Sequence, residues 1–242
     1  MSSLLLATVA LSLLIGGRTL RGASKLDRPS AGQLRVSDHA RPDDCAMFEL
    51  FDQVARAAGV PLGFENLPGC GFGQRTVVPG NRGTALFAST PREAFDQIAA
   101  LNDSFRWQEM DGMAIVRPVA AWYDADDLLN LPAHSFQLMN VGADDALYRV
   151  LQAATPRVRY VQSRKRVYGP LDAPVSVDFG GGTMLGALNA VVRAKGDAEW
   201  RVGYTNGAAA ILIGRLSKLT EPAAAYVGPI WKTPAVRGAV AN

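Results

Sequence analysis

The chain has 242 residues, of which 48% are hydrophobic and 19% are charged, and its net charge is +3. This composition is typical of globular proteins and excludes a chain that is disordered throughout. The 25 basic residues are interleaved with 22 acidic ones rather than gathered in one run. We therefore expect no nucleic-acid partner.

The N-terminal segment contains an uncharged apolar run within residues 1–16. Its length of roughly a dozen residues is typical of a signal-peptide core and is shorter than a membrane span. We expect residues 1–23 to be an export signal and the protein to be periplasmic or secreted. No basic residue precedes the run, and Arg18 and Arg21 interrupt the cleavage region. An uncleaved membrane anchor, which would then supply the chain's membrane contact, and a buried helix are therefore the alternatives.

A first folded unit is predicted over residues 33–118. It follows a polar segment at 22–30 that suits a linker. Thr90, Pro91 and Glu93 form the signature of a helix start, and Asp111-Gly112 is a strong hairpin signal. The predicted elements, in order, are a strand at 33–37, a helix capped by Asp43 or Asp44 and ended by Gly59, strands at 60–65 and 85–88, a helix after Thr90, and a hairpin of 105–110 with 113–116.

A second unit is predicted over residues 133–214, after an ordered connector at 118–132. Its elements repeat the order of the first. They are strands at 135–139, 158–162 and 175–179, helices at 144–154 and from Thr183 to Gly196, and a hairpin of 200–204 with 208–213 around Asn206-Gly207. The expected fold class is therefore α+β, a mixed α/β chain of two tandem βαβ-βαββ units with an extended tail.

The second half of each unit carries a family resemblance. The sequences are TPREAFDQIAALNDSFRWQEMDGMAIVRP in the first unit and VSVDFGGGTMLGALNAVVRAKGDAEWRVGYTNGAAAILIG in the second. Each resembles the STN domain, the secretin and TonB N-terminal domain of outer-membrane secretins and signalling receptors. The resemblance implies a periplasmic, non-enzymatic module that contacts a protein partner or packs against copies of itself. We expect any pore to come from another chain.

The segment 215–242 has no periodic pattern, and Pro222, Pro229 and Pro234 favour an extended tail. Its apolar residues include Tyr226, Ile230 and Trp231. An extended apolar peptide suits addition to a sheet edge or a groove. We therefore expect these three residues to contact a partner in the cell envelope or a neighbouring copy of the chain.

One polar cluster raises the alternative of a metal- or cysteine-dependent hydrolase. Asp38, His39 and Cys45 offer ligand and nucleophile chemistry, but their spacing matches no zinc pattern. The glycines at 180–182 precede a helix without the Lys of a phosphate loop. We therefore expect no metal, no cofactor and no catalysis.

A basic cluster lies in the second unit, at Arg157, Arg159, Arg164, Lys165 and Arg166. Such a cluster can bind lipid phosphate, cell-wall carboxylates or an acidic partner surface. Charge on a hairpin edge also protects against aggregation without any ligand. We expect Arg164, Lys165 and Arg166 to take part in partner binding, with a cell-wall or lipid-binding protein as the alternative.

We predict a disulfide between Cys45 and Cys70, the two cysteines of the chain. An even pair closes a disulfide in an oxidising compartment, and the loop it closes is worth about 3 kcal/mol of stability. Alkylation of envelope-extracted protein without reductant is expected to label neither thiol, and alkylation after reduction to label both. Full labelling without reductant would contradict the prediction.

Overall fold

The computed structural model describes residues 24–29, 34–36, 44–45, 47–71, 86–155, 160–162, 174–196, 198–205, 208–215 and 218–227. These residues form a mixed α+β protein, as predicted. The helices are α1 Met47–Ala58, α2 Pro91–Ala99, α3 Ala143–Ala153 and α4 Met184–Lys195. The strands are β1 Leu34–Val36, β2 Leu62–Glu65, β3 Leu86–Ala88, β4 Phe105–Met110, β5 Met113–Pro118, β6 Pro132–Ala133, β7 Phe136–Val141, β8 Tyr160–Gln162, β9 Val175–Phe179, β10 Gly182–Thr183, β11 Ala198–Thr205, β12 Ala208–Arg215 and β13 Lys218–Val227.

Seven of these strands form one sheet in the order β4-β5-β2-β11-β12-β13-β8. Strand β2 is parallel to both of its neighbours, β5 and β11, and the other pairs are antiparallel. Because β2 comes from the first half of the chain and β11 from the second, the two halves share this sheet. Three two-stranded pairs, β1 with β3, β7 with β9 and β6 with β10, accompany it.

The central sheet is covered by helices on both faces. Helices α1 and α2 share one hydrophobic core with Ala114 and Val116 of β5. Helices α3 and α4 share the other core with Met113 and Ile115 of the same strand. Side chains alternate between the faces of a strand, so a strand buried on both faces reads as a continuous apolar run.

The helix starts follow the predicted capping chemistry. The hydroxyl of Thr90 accepts a hydrogen bond from the Glu93 N–H, and the Glu93 carboxylate accepts one from the Ser89 N–H at 2.7 Å. Thr183 accepts from the N–H of Gly186 in the same way. Each cap satisfies backbone donors that the first helical turn leaves unpaired.

The predicted linker at 22–30 is wrong for the described part of that segment. Residues Lys25–Asp27 form a 3-10 turn, and the side chain of Leu26 is fully buried in the core of α1 and α2. The Ser24 hydroxyl donates to a Glu109 carboxylate oxygen at 2.6 Å. A single leucine among polar residues gives no periodic signal, so the sequence pattern missed this contact.

The tail prediction for 215–242 is refined by the structure. Residues Lys218–Val227 are extended, but they form β13, which pairs with β12 and β8 of the same chain. The register shifts between Ile213 and Arg215, which leaves Pro222 outside the regular pairing. A bulge suits proline because proline has no N–H to donate to a ladder. Residues 228–242 lie outside the described residues.

Gly63 and Trp200 pack tightly against each other where the two halves of the sheet meet. Gly63 of β2 lies opposite Trp200 of β11, and a Cβ on Gly63 would lie 2.3 Å from Cε2 of the indole. The indole is fully buried and donates a hydrogen bond to Asn189 at 2.8 Å. Because this ring cannot move aside, only glycine fits at position 63.

We expect Gly63→Ala to lower the free energy of unfolding by about 1–3 kcal/mol, since overpacking forces ring and backbone apart. Gly180→Ala is the matched control, because its Cβ would meet no atom within 4 Å. Urea unfolding measures both changes. Combining Gly63→Ala with Trp200→Val is expected to cost less than the sum of the two single changes. Equal losses for Gly63→Ala and Gly180→Ala would contradict the packing argument.

Candidate functional site

A group of buried polar side chains lies where the two halves of the chain meet, and we call it the junction network. Glu65 ends β2, Arg117 lies in β5 and Tyr204 lies in β11. Asp127 and Asn130 come from the connector between the halves, beside a 3-10 turn at Leu128–Asn130. The sheet order brings the three strands side by side, so that residues far apart in sequence meet on one sheet face.

Arg117 is the centre of the junction network. Its guanidinium donates from Nε to Glu65 Oε2 at 2.6 Å, from Nη2 to Asp127 Oδ1 at 2.5 Å and from Nη1 to Asn130 Oδ1 at 2.8 Å. The ring of Trp122 covers the guanidinium, with its centroid 5.2 Å from Cζ. The Arg117 side chain is 0% exposed and that of Glu65 is 1% exposed. Charges removed from water to this degree must be paired and hydrogen-bonded.

The junction network holds two carboxyl groups for one guanidinium. Burial raises the pKa of Asp127 to about 8, with repulsion from Glu65 adding to the rise and Arg117 opposing it. Burial and the neighbouring carboxylate therefore both favour the protonated form of Asp127. The Tyr204 hydroxyl donates to Glu65 Oε1 at 2.6 Å, and burial raises the pKa of this phenol above its usual value.

A second polar cluster lies on the opposite face, between α1 and β11. Asp52 pairs with Arg56 at 2.6 Å, and Glu199 pairs with Arg201 at 3.0 Å. Burial raises the pKa of Glu199 to about 7. The guanidinium of Arg201 lies over the ring of Phe48, and burial lowers the pKa of Arg201. Glu199 Oε2 and Arg201 Nη2 are buried without a hydrogen-bond partner.

Cys45 and Cys70, the two cysteines predicted to pair, form a disulfide. It joins the segment before α1 to the loop after β2. The carbonyl of Cys70 accepts a hydrogen bond from the Tyr204 N–H at 3.0 Å, so the disulfide lies beside the junction network. The bond therefore ties the segment before the first helix to a loop that is hydrogen-bonded to β11.

The hydrolase alternative loses its nucleophile, since the sulfur of Cys45 is in a disulfide and carries no free thiol. Asp38 and His39 lie outside the described residues. Asp44 is not the N-cap of α1, which begins at Met47, and its carboxylate accepts from the Asn102 amide at 2.8 Å. Within the described ranges, no group of three or more His, Cys, Asp or Glu is placed to hold a metal ion.

The predicted partner-binding residues are only partly covered by the structure. Tyr226 lies in β13, opposite Ala210 of β12 and Val161 of β8. Ile230, Trp231, Arg164, Lys165 and Arg166 lie outside the described residues. Their role in partner binding stays a prediction, and so does the role of residues 1–23 as an export signal. In the part of the chain that the structure covers, no helix has the length and apolarity that a membrane span requires.

The junction network was not predicted from the sequence. A signal was present, since Glu65 and Arg117 each lie at the end of a short apolar strand that is otherwise suited to burial on both faces. A charged residue in such a strand requires a buried partner of opposite charge. Identifying that partner required the pairing of β2 with β5, which the sequence did not predict.

Comparison with known proteins gives one partial match and no family assignment. No protein-family profile matches the chain, and no solved structure matches it. The chain is 33% identical over 120 residues to 4-hydroxy-tetrahydrodipicolinate synthase 2 of Streptomyces coelicolor. The matched region is 49% of this chain and 35% of the synthase, so the chain spans about a third of that relative's length.

The expectation that the chain is not an enzyme is contradicted by this match, because the relative is an enzyme. The expectation was based on two histidines, two cysteines and the lack of zinc and phosphate-loop patterns. Enzymes that use carboxyl groups and phenols as acids and bases need none of those patterns. The lack of these patterns therefore did not exclude catalysis.

Arg117→Met is expected to lower the free energy of unfolding by about 3–5 kcal/mol, because it leaves the Glu65 carboxylate buried without its partner. Arg106→Met is the control on the neighbouring strand. Its exposed side chain donates a hydrogen bond to the Tyr123 hydroxyl, and a cost of about 0.5 kcal/mol or less is expected. Urea unfolding at pH 7 measures both. Adding Glu65→Gln to Arg117→Met is expected to recover part of the loss, and equal losses for the two arginines would contradict the assignment.

Proposed function

We propose that this chain is an exported interaction module of the cell envelope that contacts a protein partner through two STN-like units. The assembly it serves would be a secretin, a secretion system or a TonB-dependent signalling system. The observation that carries the proposal is the order of elements. Each half runs strand, helix, strand, strand, helix and hairpin, as β1-α1-β2-β3-α2-β4-β5 and, apart from the two-residue strand β10 before α4, as β7-α3-β8-β9-α4-β11-β12.

The disulfide agrees with an exported protein. Disulfides persist in oxidising compartments such as the periplasm and are rare in reducing ones. The pair Cys45–Cys70 accounts for both cysteines of the chain. The disulfide supports export independently of the apolar run at the N-terminus.

The sheet offers places for a partner to bind. Strands β4 and β8 are the outer strands of the seven-stranded sheet. An outer strand has backbone N–H and C=O groups on one side that can pair with an extended segment of another protein. The segment after β13, which carries Ile230 and Trp231, is the part of this chain that we propose reaches such a partner.

A second candidate function is catalysis, which the partial match to the synthase favours. Asp127 is a buried carboxyl whose pKa is raised by burial, a property that general acid–base catalysts share. Assay of the purified chain for the activity named for that relative, with Asp127→Asn beside it, tests this candidate. Turnover that Asp127→Asn abolishes supports it, and no turnover in the unchanged chain counts against it.

Replacing Ile230 and Trp231 by serine is expected to remove crosslinks to the partner in the native envelope while leaving the melting temperature unchanged. These residues follow β13, so the sheet keeps all seven strands. Tyr123→Ser is the control. This tyrosine is an aromatic residue that is 72% exposed, and it lies in the connector, far in sequence from Ile230 and Trp231. Crosslinking followed by mass spectrometry and thermal unfolding give the two readouts.

Two outcomes would contradict the tail as a partner contact. Crosslinks retained by the serine variant would place the contact elsewhere. A melting temperature lowered by several degrees would show that Ile230 and Trp231 complete the chain's own core.

A further inference from the structure

The junction network joins segments that are otherwise separate in the chain. It takes Glu65 from β2, Arg117 from β5, Asp127 from the connector and Tyr204 from β11. Since β5 ends at Pro118 and β6 begins at Pro132, the part of the connector between the strands is residues 119–131, and it is the covalent link between the two halves. The junction network is therefore the place where the connector is fastened to the sheet.

The charges of the junction network balance only when one proton is bound. Two carboxyl groups face one guanidinium, and the Tyr204 hydroxyl donates a hydrogen bond without adding charge. With a proton on Asp127, one carboxylate and one guanidinium remain, and the buried group is neutral. Without it, two carboxylates share Arg117 in a region that water barely reaches, which is costly.

The two carboxyl groups differ in their freedom to move away from each other. Glu65 lies on β2, which is hydrogen-bonded to a strand on each side. Asp127 lies in the connector outside the helices and strands, and its side chain is 11% exposed. Repulsion between them is therefore relieved by movement of Asp127 toward water, which takes the connector with it.

We propose that the junction network is a proton-operated lock on the connector. With the proton bound, the connector is held against β5 and α4. When the proton is lost at alkaline pH, Asp127 turns outward and the connector loosens. The lock is a property of the described fold and does not depend on the proposed function.

Loosening of the connector would also break contacts that its other residues make with the second half of the chain. Leu128 and Leu129 are buried in the core of α3 and α4. The carbonyl of Leu131 accepts a hydrogen bond from the N–H of Met184, the first residue of α4. Loosening of the connector therefore reaches the start of α4 in the second half.

The charged groups that face Asp127 are Glu65 from β2 and Arg117 from β5, and the ionisable phenol of Tyr204 lies beside them. The carboxylate of Asp124, in the connector, accepts a hydrogen bond from the Asp126 N–H. Arg193 of α4 lies away from the junction network, with its guanidinium 3.5 Å from Asp111.

The direction of the pH effect follows from the pKa values of the two states. The folded pKa of Asp127 is about 8, whereas an unfolded Asp has a pKa of about 3.9. Between these values the locked state binds a proton that the released state does not. The stabilisation is therefore complete below about pH 4, declines as pH rises and is lost as pH passes the folded pKa.

Hydrogen–deuterium exchange of the full chain, followed by mass spectrometry, tests the lock. After correction for the intrinsic pH dependence of exchange, the opening of peptides from 119–131 is expected to rise by up to tenfold for each pH unit between pH 6 and pH 8. Above the folded pKa the rise levels off, so the total increase between pH 6 and pH 9 is up to about 100-fold. Peptides of α2, which the junction network does not touch, are expected to show no such rise.

Asp127→Asn is expected to remove the rise, because the amide is neutral at every pH and so removes the second negative charge. Asp124→Asn, an exposed change in the same connector, is expected to keep it. Glu199→Gln is also expected to keep it, which separates the junction network from the second titrating cluster. If Asp127→Asn fails to fold, Glu65→Gln serves instead, since it also removes one of the two negative charges.

Three results would overturn the proposal. The first is equal protection of 119–131 at pH 6 and pH 9 in the unchanged chain. The second is a rise that Asp127→Asn or Glu65→Gln leaves intact. The third is a rise of the same size in α2, which would show global unfolding instead of local release.

Discussion

The parallel pairing of β2 with β11 is the constraint on which the rest of the fold depends. It places Gly63 under the indole of Trp200 and brings Glu65 to the hydroxyl of Tyr204. Without this pairing β2 and β11 would each have an unpaired edge, and Met113 and Ile115 of β5 would lose their place in the core of α3 and α4. The pairing joins two smaller sheets into one and extends the core of the second half onto a strand of the first.

The local elements could be predicted from the sequence, because their signals are short-range. The hairpin at Asp111-Gly112 was placed correctly because both residues adopt positive φ, 55° and 78°, as a primed turn requires. Thr90 and Thr183 marked helix starts by the same local chemistry. The pairing between halves, the docking of Leu26 and the strand character of 218–227 could not be predicted, since each depends on partners far away in sequence.

In the candidate site, too, the features with a simple sequence signal were predicted and those that depend on distant partners were not. The sequence pointed to the Cys45–Cys70 pair by count alone, whereas the junction network requires residues that are 52 and 139 positions apart to meet. A buried charge is visible in a sequence only as an irregularity in an apolar run. What it pairs with depends on strand order, and strand order here crosses from one half to the other. The expectation of no catalysis was based on missing patterns, and a missing pattern carries little weight.

The position of β13 has a consequence for how the protein is made. Strand β8 joins the seven-stranded sheet through β13, the last of the strands that the structure describes, and not through β12. Strand β8 therefore cannot pair with the sheet until β13, which is synthesised about 60 residues later, is available. Pairings between distant segments form slowly and leave strand edges exposed in the meantime. A chain that crosses a membrane unfolded would complete this sheet only after its C-terminal segment has emerged on the far side.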